Sequence, residues 1–206
     1  MTEPPSSHSY LLLHGWQNHR PTDHWQNWLA TELSNVGAEV AYPQLPDPDE
    51  PDLEHWLSEL QRQLQSLTGQ TRTVICHSLA CALWLHAVAR EVVPVGIHRV
   101  LMVAPPSSSF LQQHAGVMEF ASPPTTSAQL AAAAQHTLIV ASDNDPCNRE
   151  GATATFGKPL NCGVSLLPEA GHLSIPDGYG PWPSVLDWCL GTAAEPSANR
   201  RTFGET

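Results

Sequence analysis

Two kinds of hydrophobic pattern alternate along this chain. Short, almost continuously apolar runs at 9–13, 39–42, 71–75, 99–103, 136–141 and 163–167 each predict a strand. Between them, apolar residues recur every three or four positions. Trp25, Trp28, Leu29, Leu33 and Val36 follow helical spacing, with Asp23 as the expected N-cap and Gly37 as the stop. Leu53, Trp56, Leu57, Leu60, Leu64 and Leu67 give the cleanest amphipathic helix, begun near Asp52 and ended by Gly69. An apolar helix is predicted over 79–92 and a last helix over 184–190.

Strands with no polar face, alternating with helices, predict a parallel sheet covered on both sides. The expectation is a compact α/β fold of about six mostly parallel strands with helices on both faces. Right-handed crossovers put every strand's C-terminus on one edge, where α/β folds bind ligands. One domain over 9–191 is expected, with residues 1–8 and 192–206, rich in Pro, Ser and Arg, as flexible ends. Residues 104–135 are too long for a plain loop and are expected to hold a short helix or a small lid.

Composition narrows the function. The chain has 206 residues, 41% of them hydrophobic, enough for one sizeable core. Its net charge is -11 with only 9 Lys and Arg, which argues against nucleic-acid or anionic-membrane partners. The N-terminal stretch has no basic region and too short an apolar run for a signal peptide or a membrane span. The five cysteines form no C-x-x-C pair and are odd in number, so reduced thiols in a cytoplasm are expected.

The candidate chemistry lies directly after predicted strands. Ser78, in Cys76-His77-Ser78-Leu79-Ala80, follows the third strand and opens an apolar helix. The arrangement matches the strand-turn-helix that presents a nucleophilic serine, with Cys76 and Ala80 where two glycines are usual. Both are small, so the crowding of that turn is tolerable, and a working turn is expected. Asp143 and Asp145 follow the fifth strand, and His172 follows the sixth. Ser, Asp, His in this chain order suits acyl transfer. A serine hydroxyl needs a base within hydrogen-bond reach, and a carboxylate on the other imidazole nitrogen fixes the tautomer. The residue pattern alone leaves either Asp143 or Asp145 as the acid. The oxyanion of such a reaction needs rigid N–H donors; the Leu79 amide and the Trp16 amide of the "HGWQ" loop are the candidates.

Competing readings carry less. Cys76 as nucleophile would sit buried at a strand end. His14, His19 and His24 are spaced by five, which suits neither helical nor strand ligand geometry, so they read as loop and surface histidines. No metal and no cofactor are expected. The Trp25/Trp28 and Trp56/Leu57 pairs read as core stripes.

Taken together, "HG", "DHWQ", "CHSLAC", "LMVAPP", "ASDNDPC" and "AGHLSIPDGYGPWPSVL" resemble the small YdeN-like serine hydrolases, relatives of retinoblastoma-binding protein nine. The resemblance runs over residues 10–190. It implies a compact α/β-hydrolase with a minimal cap and a catalytic triad of Ser78, Asp145 and His172. Asp145 is singled out because the family's acid directly precedes a proline. Ala80 departs from the family's H-S-x-G. The implied function is a serine hydrolase cleaving a small ester, thioester or amide through an acyl-enzyme on Ser78. A non-catalytic binding module of the same fold, or an acyltransferase using the same residues, is the alternative.

Overall fold

The computed structural model describes residues 7–199. In chain order the elements are β1 (His8–Leu13), α1 (Trp25–Asn35), β2 (Glu39–Ala41), α2 (Leu53–Ser66), β3 (Thr71–His77), α3 (Leu79–Ala89), β4 (Ile97–Val103), α4 (Ser108–Gln112), α5 (Ser127–Ala133), β5 (His136–Ser142), α6 (Lys158–Leu160), β6 (Gly163–Leu167) and α7 (Pro183–Cys189). The six strands form one sheet in the order β2-β1-β3-β4-β5-β6, and every pairing is parallel.

Alternation along each strand divides the core in two. Leu11, Leu13, Val74, Cys76, Val100, Met102 and Ile139 face one side, where α2, α3 and α5 pack. Tyr10, Leu12, Ile75, Leu101, Val103 and Val140 face the other, against α1 and α7. Each fully buried Leu or Val side chain contributes about 1.5–3 kcal/mol, so two complete faces hold the sheet without disulfides; all five cysteines are free. Every residue from Leu79 to Val88 is buried, so α3 has no polar stripe.

Helix boundaries differ from the expectations where side chains or strain intervene. The N-cap of α1 is His24, not Asp23: the His24 ring accepts the Gln26 N–H. Asp52 does cap α2, accepting the His55 N–H, but that helix ends at Ser66, before Gly69. The helix expected to reach residue 92 ends at Ala89. Glu91 takes a left-handed conformation (φ 55°), and the Glu91 and Val92 amides fold back onto the Val88 and Ala87 carbonyls. This is the turn that Gly37 builds after α1, made at Glu91 without glycine.

Residues 104–135 form two short helices, α4 and α5, and a 3₁₀ turn at Met118–Phe120. They lie along α2 and α3. The Glu119 carboxylate accepts the Leu53 N–H at 2.7 Å, His86 Nε2 lies 3.1 Å from the Phe120 carbonyl, and the Gln129 amide donates to the Ala89 carbonyl. Of the expected flexible ends, 1–6 and 200–206 lie outside the described residues. Residues 192–199 are coil tied to the body: the Ser197 carbonyl accepts from Trp182 Nε1 and Ser184 Oγ, and Asn199 donates to Gly178 and Pro181. Among the described residues, no helix is long and apolar enough to cross a membrane.

Candidate active site

The strand order reverses between β1 and β3, which lie side by side although β2 separates them in sequence. Such switch points open a crevice at the strand C-termini. The loops after β1 and β3 therefore meet there, and both carry predicted site residues.

Ser78 sits at the tip of β3, ahead of α3, with φ 54° and ψ -122°. A non-glycine residue in that region is strained by about 1–3 kcal/mol, and flanking contacts hold it in place. The Ser78 N–H donates to the Val103 carbonyl at 2.9 Å, and the Ser78 carbonyl accepts from Cys81. Cys76 and Ala80 are both fully buried beside the turn. Burial pushes the Cys76 thiol far above its ordinary range, which suppresses the thiolate a nucleophile needs.

His172 closes on Ser78 from the far side. Its Nε2 lies 2.8 Å from Ser78 Oγ, and its Nδ1 lies 2.9 and 3.0 Å from the two Asp145 carboxylate oxygens. Asp145 is 3% exposed. Burial of the His172 ring opposes its charge, but the Asp145 hydrogen bond and charge, with Cys147 beside it, outweigh that and raise its pKa. With Nδ1–H directed at the carboxylate, Nε2 is free to accept the Ser78 proton.

Three consecutive side chains after β5 grip the loop after β6. Asp143 accepts the Glu169 N–H, Asn144 accepts the Gly171 N–H, and Asp145 holds the His172 ring. Asp143, the other carboxylate at this strand end, thus binds backbone three residues before His172. On the opposite side, Asp177 Oδ2 accepts the His172 N–H at 3.0 Å and both the N–H and O–H of Ser174. Gly171 (φ 61°) lies so close to this carboxylate that an added Cβ would stand 2.0 Å from Asp177 Oδ1.

The loop after β1 supplies the other wall. An added Cβ at Gly15 would come within 2.7 Å of Ser78 Cβ, so only glycine lets this backbone approach the serine. His14 is fully buried. Its Nε2 accepts the Leu45 N–H at 2.8 Å, which leaves Nδ1–H to donate to the Gly15 carbonyl at 2.8 Å. A planar peptide points its C=O and N–H in opposite directions. Anchoring the Gly15 carbonyl therefore fixes the direction of the Trp16 N–H. Neither the Trp16 amide nor the Leu79 amide donates to a carbonyl among the described residues.

These contacts correct the reading of the clustered histidines. His14 and His24 are buried rather than on the surface, and only His19 is exposed, paired with Asp49. Burial lowers the pKa of both His14 and His24 to about 4. His77 is buried beside them and also held well below its usual value; its Nε2 lies 3.1 Å from the His172 carbonyl. Sequence reasoning missed the roles of His14, Asn144 and Asp177. Only Asp177 left a signal: Ser174 with an acid three residues later spells a capping box, which the structure forms.

A cavity of about 370 Å³ opens at Ser78, walled by Trp16, Pro21, His24, His77, Ile175 and Pro176, with Gln17, Asn18 and His19 at its polar side. No residue of 104–135 lines it. Near the site, donor atoms of Asp145, Cys147 and His172 all lie within 4.8 Å of one another.

Comparison with known proteins points one way. The sequence model of a family described as serine hydrolase matches residues 10–189. The protein YdeN of Bacillus subtilis (strain 168) is 23% identical over 178 residues, covering 85% of this chain and 91% of that protein. The crystal structure of the ydeN gene product superposes with a TM-score of 0.77 at 21% identity, covering 91% of this chain and 99% of that one. Est1E from Butyrivibrio proteoclasticus superposes with a TM-score of 0.64 at 13% identity, covering 94% and 91%.

Proposed function

This chain belongs to the serine hydrolase family, and from that we propose that it cleaves a small carboxylic ester, or the corresponding thioester or amide, through an acyl-enzyme on Ser78. The observation that carries the proposal is the unbroken hydrogen-bond chain from Ser78 Oγ through His172 to Asp145. His172 Nε2 takes the Ser78 proton as Oγ attacks the acyl carbon. Asp145 holds the ring tautomer and stabilises the imidazolium. The Leu79 and Trp16 amides receive the oxyanion. His172 then returns the proton to the leaving group, and water, activated by the same nitrogen, releases the acid.

The cavity supports a small substrate. Its volume of about 370 Å³ is near the low end for ligand sites, and residues 104–135 add no apolar tunnel to it. A buried methylene gains about 0.8 kcal/mol only where water is fully excluded. Acetate and butyrate p-nitrophenyl esters should therefore react with higher kcat/KM than laurate or palmitate esters. A kcat/KM that climbs steadily to twelve acyl carbons would contradict this. The lining holds no Asp, Glu, Lys or Arg, which supports a neutral small-molecule acyl substrate. The reading includes a cytoplasmic setting, supported by five unpaired thiols.

A further inference from the structure

A second cavity lies behind the candidate acid. It holds about 540 Å³ and is lined by Phe110, His114, Pro146, Cys147 and Arg149, among others; neither Ser78 nor His172 borders it. Cys147 is partly exposed, and its backbone N–H donates to Asp145 Oδ1 at 2.8 Å, which anchors this residue's backbone to the carboxylate. The donor atoms of Cys147, Asp145 and His172 lie within 4.8 Å of one another.

These are a sulfur, an oxygen and a nitrogen ligand, the mixture that zinc accepts in tetrahedral sites. Zinc bonds of about 2.0–2.3 Å require ligand atoms roughly 3.3–3.8 Å apart. The Asp145–His172 contact of 2.9 Å would open slightly, and the sulfur would move in by at most about 1.5 Å from the outer limit.

We propose that Asp145, Cys147 and His172 form an inhibitory site for a thiophilic divalent cation, Zn²⁺ in the first instance, reached through the cavity behind the acid and leaving one coordination position to water. The inhibitory part rests on the reading of His172 as the base of Ser78; the binding part does not. The ion takes the Nδ1 lone pair, so the Nδ1 proton moves to Nε2 and the thiol proton leaves to solvent, one proton released per ion. Nothing is oxidised or reduced. His172 then presents N–H to Ser78 and cannot accept its proton.

The test pairs direct binding with activity, using the full chain and metal ions alone. Co²⁺ added to the reduced protein should give a one-to-one sulfur-to-cobalt charge-transfer band, absent in Cys147→Ser and Cys147→Ala. Zn²⁺ should inhibit the esterase reversibly by EDTA. Relative to each variant's own metal-free rate, the half-inhibiting concentration should rise at least about tenfold in both variants, with thermal unfolding checking that they fold. The absence of a charge-transfer band, its persistence in both variants, or equal zinc sensitivity of wild type and variants would overturn the proposal. If the protein proves to have no esterase activity, the cobalt band still decides the binding site, so failure of the catalytic reading and failure of the metal site are distinguishable.

Discussion

The loops after β1 and after β6 converge on Ser78, and each brings histidine to it. They treat the imidazole in opposite ways. The β1 loop buries His14 and His24 against aromatic rings, with no carboxylate bonded to either; desolvation pulls both down to about 4. The β6 loop only half-buries His172, and there Asp145 meets its ring and raises it. Burial alone keeps a histidine neutral. Partial burial against a buried carboxylate makes it a strong proton acceptor. One loop is thus suited to fixing backbone dipoles, the other to moving a proton.

Removing the carboxylate is the sharpest way to break this contrast. Asp145→Asn should lower kcat by about 10⁴-fold, because the ring loses its tautomer and orientation. If His172 is the base we propose, its neutral form does the chemistry, so activity should rise with pH through a midpoint above about 6.5, and Asp145→Asn should move that midpoint down. Asp143→Asn keeps a side-chain oxygen for the Glu169 N–H and should stay within about tenfold of wild type. Steady-state rates on p-nitrophenyl acetate across pH measure all three, and the reverse ranking of the two variants would refute the assignment.

The β1 loop is broken more gently. Gly15→Ala places a methyl group against Ser78 and should shift the Trp16 amide, lowering kcat by about 10²–10³-fold while circular dichroism stays unchanged. A variant with wild-type kcat would show that this loop does not bear on the reaction.

Acid acts on stability and leaves every side chain in place. His14, His24 and His77 have folded pKa values below that of an unfolded histidine, about 6.5. Below about pH 6.5 the unfolded chain binds their protons and the folded chain does not. Stability is therefore present above that pH and lost as pH falls toward 4, by about 1.4 kcal/mol per pH unit for each histidine. His172, whose pKa is raised, takes its proton first in the folded chain, so it opposes this loss above about pH 6.5 and adds little slope below it. Urea unfolding at pH 7, 6 and 5 should show this loss; a flat profile would mean the three rings are not held neutral.

Much of this arrangement was legible in the chain. The six strands stood out because both faces of the sheet are covered, which leaves their sequences almost wholly apolar. Ser78, His172 and the pair Asp143 and Asp145 stood out as polar residues after such runs; the family resemblance picked Asp145 from the pair, and the structure brings it with Ser78 and His172 within hydrogen-bond distance. The segment 104–135 resisted because helices of 5 and 7 residues are too short to display a period. His14 and Asn144 resisted because what each does depends on a partner in another strand's loop. His24 supplanted Asp23 as the cap because its ring nitrogen reaches the Gln26 amide.

The proposed chemistry stands on Ser78 as the nucleophile, and a fluorophosphonate probe tests that most directly. Labelled protein, digested and mapped by mass spectrometry, should carry one adduct, on Ser78, and Ser78→Ala should lose both the adduct and nearly all esterase activity. An adduct on Cys76, or full activity in Ser78→Ala, would contradict the account.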